Sequence, residues 1–162
     1  MPEQTVWRGS PSQWRNTSHY LLFGILALIV VMGTVAFAHF APQIAPFFLL
    51  LLFIPLFFAL KQFLRTRSTV YELTNERLKT VNGIFTKITD TLELYRVKDI
   101  ETRQPFFLRL VGLEDVHLQT SDASSPVVIV SAVPSSVGFA DKARNQVEAI
   151  RAQKGVREID ME

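Results

Sequence analysis

The order of apolar and polar positions divides this chain into two materials. From Thr17 to Leu60 there is not one Asp, Glu, Lys or Arg, and two apolar runs lie inside that stretch. Tyr20 to Phe40 is the first, with Tyr20 and His39 near its ends. At 1.5 Å per residue it is long enough to cross roughly 30 Å of hydrocarbon. The second runs from about Ile44 to Leu60, and between Phe47 and Leu60 twelve of fourteen residues are Phe, Leu or Ile. Each of these favours insertion by roughly 0.3 to 0.6 kcal/mol. Pro55 is expected to kink this second helix. Ala41, Pro42 and Gln43 make too short a link for anything but an antiparallel transmembrane hairpin, which leaves both flanks on one side of the bilayer.

Past the hairpin the pattern becomes that of short strands between turn formers. Thr69 to Leu73 mixes Val, Tyr and Leu with polar residues, Asn75-Glu76 reads as a tight turn, and Arg77 to Val81 is a second strand. It meets Asn82-Gly83, the dipeptide suited to a type I′ hairpin, and a third strand follows from Ile84 to about Leu94. Extended structure resumes from Arg96 to Thr102, and Pro105 to Leu110 reads as a one-turn helix or hydrophobic bend ending at Gly112. Strands at Asp115 to Thr120 and Val127 to Val133 flank the turn formers of residues 121–126. The period then changes. Pro134-Ser135-Ser136 supplies an N-cap, and Val137, Ala140, Ala143 or Arg144, Val147 and Ile150 recur at helical spacing up to about Lys154-Gly155. Six or so antiparallel strands closed by one helix make the fold class α+β.

Charge adds an orientation. The net +2 comes from Arg8, Arg15 and Lys61 less Glu3, because residues 65–162 carry fourteen cations against fourteen acids. The basic pI therefore speaks for a membrane flank and against a nucleic-acid partner. Arg8 and Arg15 precede the first span, Lys61, Arg65 and Arg67 follow the second, and the loop between carries no charge. By the positive-inside rule both flanks are cytoplasmic, with Trp7, Trp14 and Tyr20 as further interfacial anchors. Ala36-Phe37-Ala38 resembles a leader cleavage site, but the apolar core exceeds the usual 7 to 15 residues and a second span follows at once. The expected organisation is a cytoplasmic segment over 1–19, the hairpin over 20–64, a cytoplasmic domain over 65–155 and a tail over 156–162.

The pattern of chemistry-bearing side chains points to a non-enzyme. Zero cysteines exclude disulfides, thiolate metal sites and a Cys nucleophile. No ionisable residue lies at mid-depth in a span, as a transporter or proton relay would need. His39 reads as an interfacial residue rather than a ligand. His117 alternates with Val116 and Leu118 on a strand face, without the neighbours a triad requires. Asp99 with Glu101 and Glu114 with Asp115 read as solvating acidic pairs. No glycine-rich phosphate loop or metal-ligand spacing appears, so no cofactor and no metal are expected.

Several segments together carry a family resemblance. Tyr71-Glu-Leu-Thr-Asn-Glu-Arg-Leu78, Gly83, Leu94-Tyr-Arg-Val-Lys-Asp-Ile100 and Arg109-Leu-Val-Gly112 resemble the bacterial pleckstrin-homology (PH) domain of small membrane proteins, over about residues 66–153. Upstream, Trp7-Arg-Gly-Ser-Pro-Ser12 before a two-span hairpin is similar to an arrangement common in that family. The resemblance implies a PH-like partial barrel capped by the final helix and facing the cytoplasm, and it implies no reaction. Two roles are compatible with it. One is an adaptor or accessory subunit that binds other membrane proteins, with homo-oligomers allowed. The alternative is a module for anionic phospholipid headgroups, for which Arg77, Lys79 and Lys87 are the expected contacts, since residues 65–109 are net +3 and residues 110–162 net −3. Because a hairpin already provides recruitment, the adaptor is the favoured reading.

Overall fold

Contacts in the computed structural model, which describes residues 3–123 and 125–154, sort the chain into two compact units. One comprises residues 16–65, and the other joins the chain up to Arg15 with the chain from Thr66 onward.

In the domain unit, β1 (Thr5–Gly9), β2 (Val70–Thr74), β3 (Arg77–Asn82) and β4 (Ile88–Glu93) form one antiparallel sheet in that order. A second holds β5 (Val97–Arg103), β6 (Leu113–Thr120) and β7 (Val127–Pro134), with the short α3 (Phe106–Leu110) between β5 and β6. The helix α4 (Phe139–Lys154) follows β7. Apolar side chains at alternate strand positions, such as Val116 and Leu118 on β6, point to one face, as a half-buried strand requires. They meet Leu73, Leu78 and Leu92 from the first sheet, and Leu94 just after β4, in a single core. Phe139, Ala143, Val147 and Ile150 lie on one stripe of α4 and close that core, Phe139 being fully buried. This is the α+β class that the pattern predicted, in the form of the PH-like partial barrel with a capping C-terminal helix that the resemblance implied.

Among the described residues there are seven strands rather than the expected six or so, because Thr5–Gly9 supplies β1. Its register runs from Thr5 opposite Thr74 to Gly9 opposite Tyr71, with a bulge between Thr5 and Trp7. Trp7 sets its ring edge-on against Phe139, centroids 5.0 Å apart. The boundary therefore differs from the expected 1–19 and 65–155 division: residues up to Arg15 belong to the domain, and the apolar stretch is an insertion between its first and second strands.

Two local departures have physical causes. Asn82-Gly83 does not make a two-residue turn; β3 ends at Asn82, which pairs with Ile88, and residues 83–87 form a longer loop. Gly83 adopts φ +122°, and a Cβ there would stand 1.8 Å from the Thr86 carbonyl oxygen, so the loop closes only over a glycine. The helical turn at Ser135–Val137 is tight and ends at Gly138, whose φ of +60° breaks the helical path before α4 starts at Phe139. The expected helix end at Gly155 and the tail over 156–162 lie outside the described residues.

The two sheets are joined at the far end of β7. Ala132 sits at φ +49° in a bulge of β7, its N–H donated to Asp115 Oδ1 at 2.7 Å and its carbonyl accepting the Ser12 N–H at 3.0 Å. The Tyr71 hydroxyl accepts the neighbouring Ser131 N–H at 3.4 Å. The carboxylate holds a backbone donor that the bulge would otherwise strand.

The second unit contains α1 (Thr17–Ala38), a 3-10 segment at Ala45–Leu52 and all but the last two residues of α2 (Phe53–Arg67). Both helices, counted with their flanking turns as Gln13–Ala38 and Ala45–Arg67, are long and apolar enough to cross a membrane. Phe23 stacks on Phe58 at 6.3 Å and Phe37 meets Phe48 edge-on at 5.0 Å. Gln62 Nε2 donates to Asn16 Oδ1 at 2.8 Å, a hydrogen bond that ties the two ends of the hairpin together. Pro55 is the third residue of α2, where the chain passes from 3-10 to α geometry; its missing N–H makes that change inexpensive.

Candidate functional site

Arg77 and Lys79 alternate on β3 with the buried Leu78, so period two sends both cations to the outer face. There they meet Glu3. Its carboxylate lies 3.1 Å from Lys79 Nζ and 3.4 Å from Arg77 Nε, and Arg77 also faces Glu76 at 3.8 Å and Glu93 at 3.9 Å. The Lys79 hydrogen bond holds the Glu3 carboxyl below the usual carboxylate range, with Arg77 adding to the effect. Two of the three expected headgroup contacts are thus engaged by acids of this same domain, one of them brought by the chain's beginning.

Lys87 is placed apart from them, exposed in the loop after β3 beside Phe85, which is 99% exposed. The structure therefore does not bring Arg77, Lys79 and Lys87 into one basic cluster. A polar cleft of about 200 Å³ opens on the other face of β3, lined by Thr80, Asp90, Thr91, Asp122 and Ser125 with Leu78, Leu92 and Val128. Its charged lining residues are both acidic, a poor match to an anionic headgroup.

The expected interfacial residues are spread over both units. Arg8 and Arg15 are exposed at the domain's beginning, and Trp14 is 52% exposed. Lys61, Arg65 and Arg67 are exposed near the end of α2, and Tyr20 lies half-buried near the start of α1, its hydroxyl 3.4 Å from the Asn16 side-chain amide. Trp7 is where the pattern misleads, since its ring belongs to the domain's packing against Phe139.

The acidic pairs have structural partners. Asp99 accepts the Ile100 N–H at 2.8 Å, and Glu101 takes a two-point hydrogen bond from Arg103 at 2.8 and 3.0 Å, which lowers its carboxyl pKa. Glu114 is buried with Gln104 at 3.3 Å, and Asp115 caps the Ala132 N–H. His117 stands half-exposed opposite Glu101 and Ile129. Among the described residues no three of His, Cys, Asp and Glu stand together as a metal site.

The family profile described as "Bacterial PH domain" matches residues 20–154, most of the chain and nearly all of the fold just described. The chain belongs to the bacterial PH domain family. The matched span of this bacterial PH domain protein begins inside the apolar insertion, so β1 lies upstream of it. A solved structure titled "Vps36 N-terminal PH domain" is similar at 20% identity, with a TM-score of 0.42, over 55% of this chain and 68% of that one. No curated protein matches significantly.

Proposed function

We propose that this bacterial PH domain protein is a non-catalytic adaptor, anchored in the bacterial inner membrane by its helical hairpin and presenting the PH-like domain to other membrane proteins on the cytoplasmic side. The observation that carries the reading is the engagement of Arg77 and Lys79 by Glu3, which leaves the outer face of β3 nearly neutral and ill suited to headgroup capture. Placement in the membrane is supported by the two long apolar helices and by the exposed cations Arg8, Arg15, Lys61, Arg65 and Arg67 flanking them. The hairpin is inserted between β1 and β2 of the domain. Both crossings are short: two residues separate α2 from β2, and β1 ends seven residues before Asn16.

Mild-detergent extraction and affinity purification from the native host should recover a stoichiometric membrane-protein partner, and a clean monomer would overturn the adaptor. A reporter fused to Glu162 should be active only in the cytoplasm. The lipid-headgroup reading keeps one supporting observation, the exposed Lys87. Charge reversal there that abolished binding of the full chain to its purified partner only in anionic bilayers would favour it.

A further inference from the structure

We infer that the domain carries two apolar tips, the β3–β4 loop with Phe85 and the α3 turn with Phe106 and Leu110, that enter the headgroup region of the leaflet holding the hairpin and fix the domain's tilt. The inference rests on the membrane-anchor reading above.

Each tip is built to expose large apolar groups. In the loop, the Gly83 conformation folds the backbone so tightly that Ile84 and Phe85 face outward, and Phe85 is 99% exposed. In α3, Leu108 is the inward anchor, packed with Leu113 and Ala132, whereas Phe106 is 64% and Leu110 69% exposed. A lone exposed apolar residue is ordinary on a protein surface, but clusters at loop tips ask for a partner. One exposed cation accompanies each tip, Lys87 in the loop and Arg109 in α3, the pairing of apolar and basic groups that suits an anionic bilayer surface.

Their place in the fold names the partner as lipid. Within the domain, Val70 is the first residue of β2 and pairs with Val81, so the loop after Asn82 adjoins the point where the chain arrives from α2. Ala132, against which Leu108 packs, accepts the Ser12 N–H, so α3 lies one residue's width from the point where the chain departs toward α1. Within the domain, the two tips thus adjoin the points where the chain arrives from the hairpin and departs toward it.

The chain has no cysteine, so a single thiol reports one site. Full-length Phe85→Cys, Leu110→Cys, Lys98→Cys and Leu28→Cys proteins, labelled with an environment-sensitive fluorophore, are reconstituted in vesicles of phosphatidylethanolamine and phosphatidylglycerol. Lys98 is exposed at the start of β5, away from both tips, and Leu28 lies inside α1. Lipids spin-labelled high in the acyl chain should quench positions 85 and 110 about twofold, as expected at the 5–10 Å depth of interfacial apolar groups, and leave position 98 unquenched. Position 28, read with lipids spin-labelled deep in the acyl chain, should also be quenched. Quenching at 28 with none at 85 or at 110 would overturn the inference and keep the anchor, and equal quenching at 98 would overturn a fixed tilt. Absence of quenching at 28 would remove the anchor and the inference together.

Discussion

Replacing Trp7 with alanine separates a domain residue from a membrane anchor. The ring is half-buried and edge-on to Phe139 at 5.0 Å, with an interplanar angle of 70°. A tryptophan in a core buries 150–250 Å², so about 100 Å² is lost here, worth roughly 2.5 kcal/mol at 25 cal/mol per Å². The edge-to-face pair adds about 0.5–1.5 kcal/mol, and a compact unfolded state takes some of the total back. The expected loss is about 2–4 kcal/mol, which for a domain of this size lowers Tm by about 10–20 °C. The assay is circular dichroism of the sheet transition, followed by heating the full-length protein in a mild detergent. Trp7→Phe should retain more than half of the lost stability, and a double-mutant cycle with Phe139→Leu should give a coupling of about 0.5–1.5 kcal/mol. A Trp7→Ala protein melting within about 2 °C of the parent would refute docking of β1 through this ring and return Trp7 to the interface.

Other expectations come from single contacts. Asp115→Ala strands the Ala132 N–H and should cost about 1–3 kcal/mol in urea unfolding, whereas Ala132→Gly relieves the left-handed backbone and should raise stability by about 1 kcal/mol. Gly83→Ala forces the loop open against the Thr86 carbonyl, so amide exchange over residues 83–87 should quicken, with a loss of about 1–3 kcal/mol. The Glu3 carboxyl is depressed in the folded state by Lys79 and Arg77, so its contribution is present above the usual carboxylate range and lost as pH falls through its folded value. The stability difference between the parent and Glu3→Gln should accordingly be larger at neutral pH than in acid; an equal difference at both would contradict the pairing.

Much of this architecture was legible as pattern because the governing interactions are local. An uncharged run from Thr17 to Leu60 has few alternatives to a pair of long apolar helices, and the stripe through Ala143, Val147 and Ile150 marks α4 by spacing alone. The strands β2, β3, β6 and β7 announce themselves by alternation between turn formers, within a residue or two of their ends. At Asn82-Gly83 the pattern located the bend but not its length. The apolar Ile84 and Phe85 mimic a strand, and the Gly83 backbone decides the longer loop.

Only tertiary structure could recruit Thr5–Gly9 into the sheet. Five residues carry no periodic signal, and their hydrogen-bonding partners, Tyr71 to Thr74, stand more than sixty positions away across an inserted hairpin. A strand so short exists because an open sheet edge offers it partners and Phe139 offers its tryptophan a packing surface. The same pairing delivers Glu3 to Arg77 and Lys79, turning a row of apparent headgroup contacts into an internal ion-pair network. Composition and periodicity therefore determined the membrane-length helices and the fold class. Long-range backbone pairing decided where the domain begins and which of its cations are engaged by its own acids, because neither is encoded within the reach of a helix turn or a hairpin.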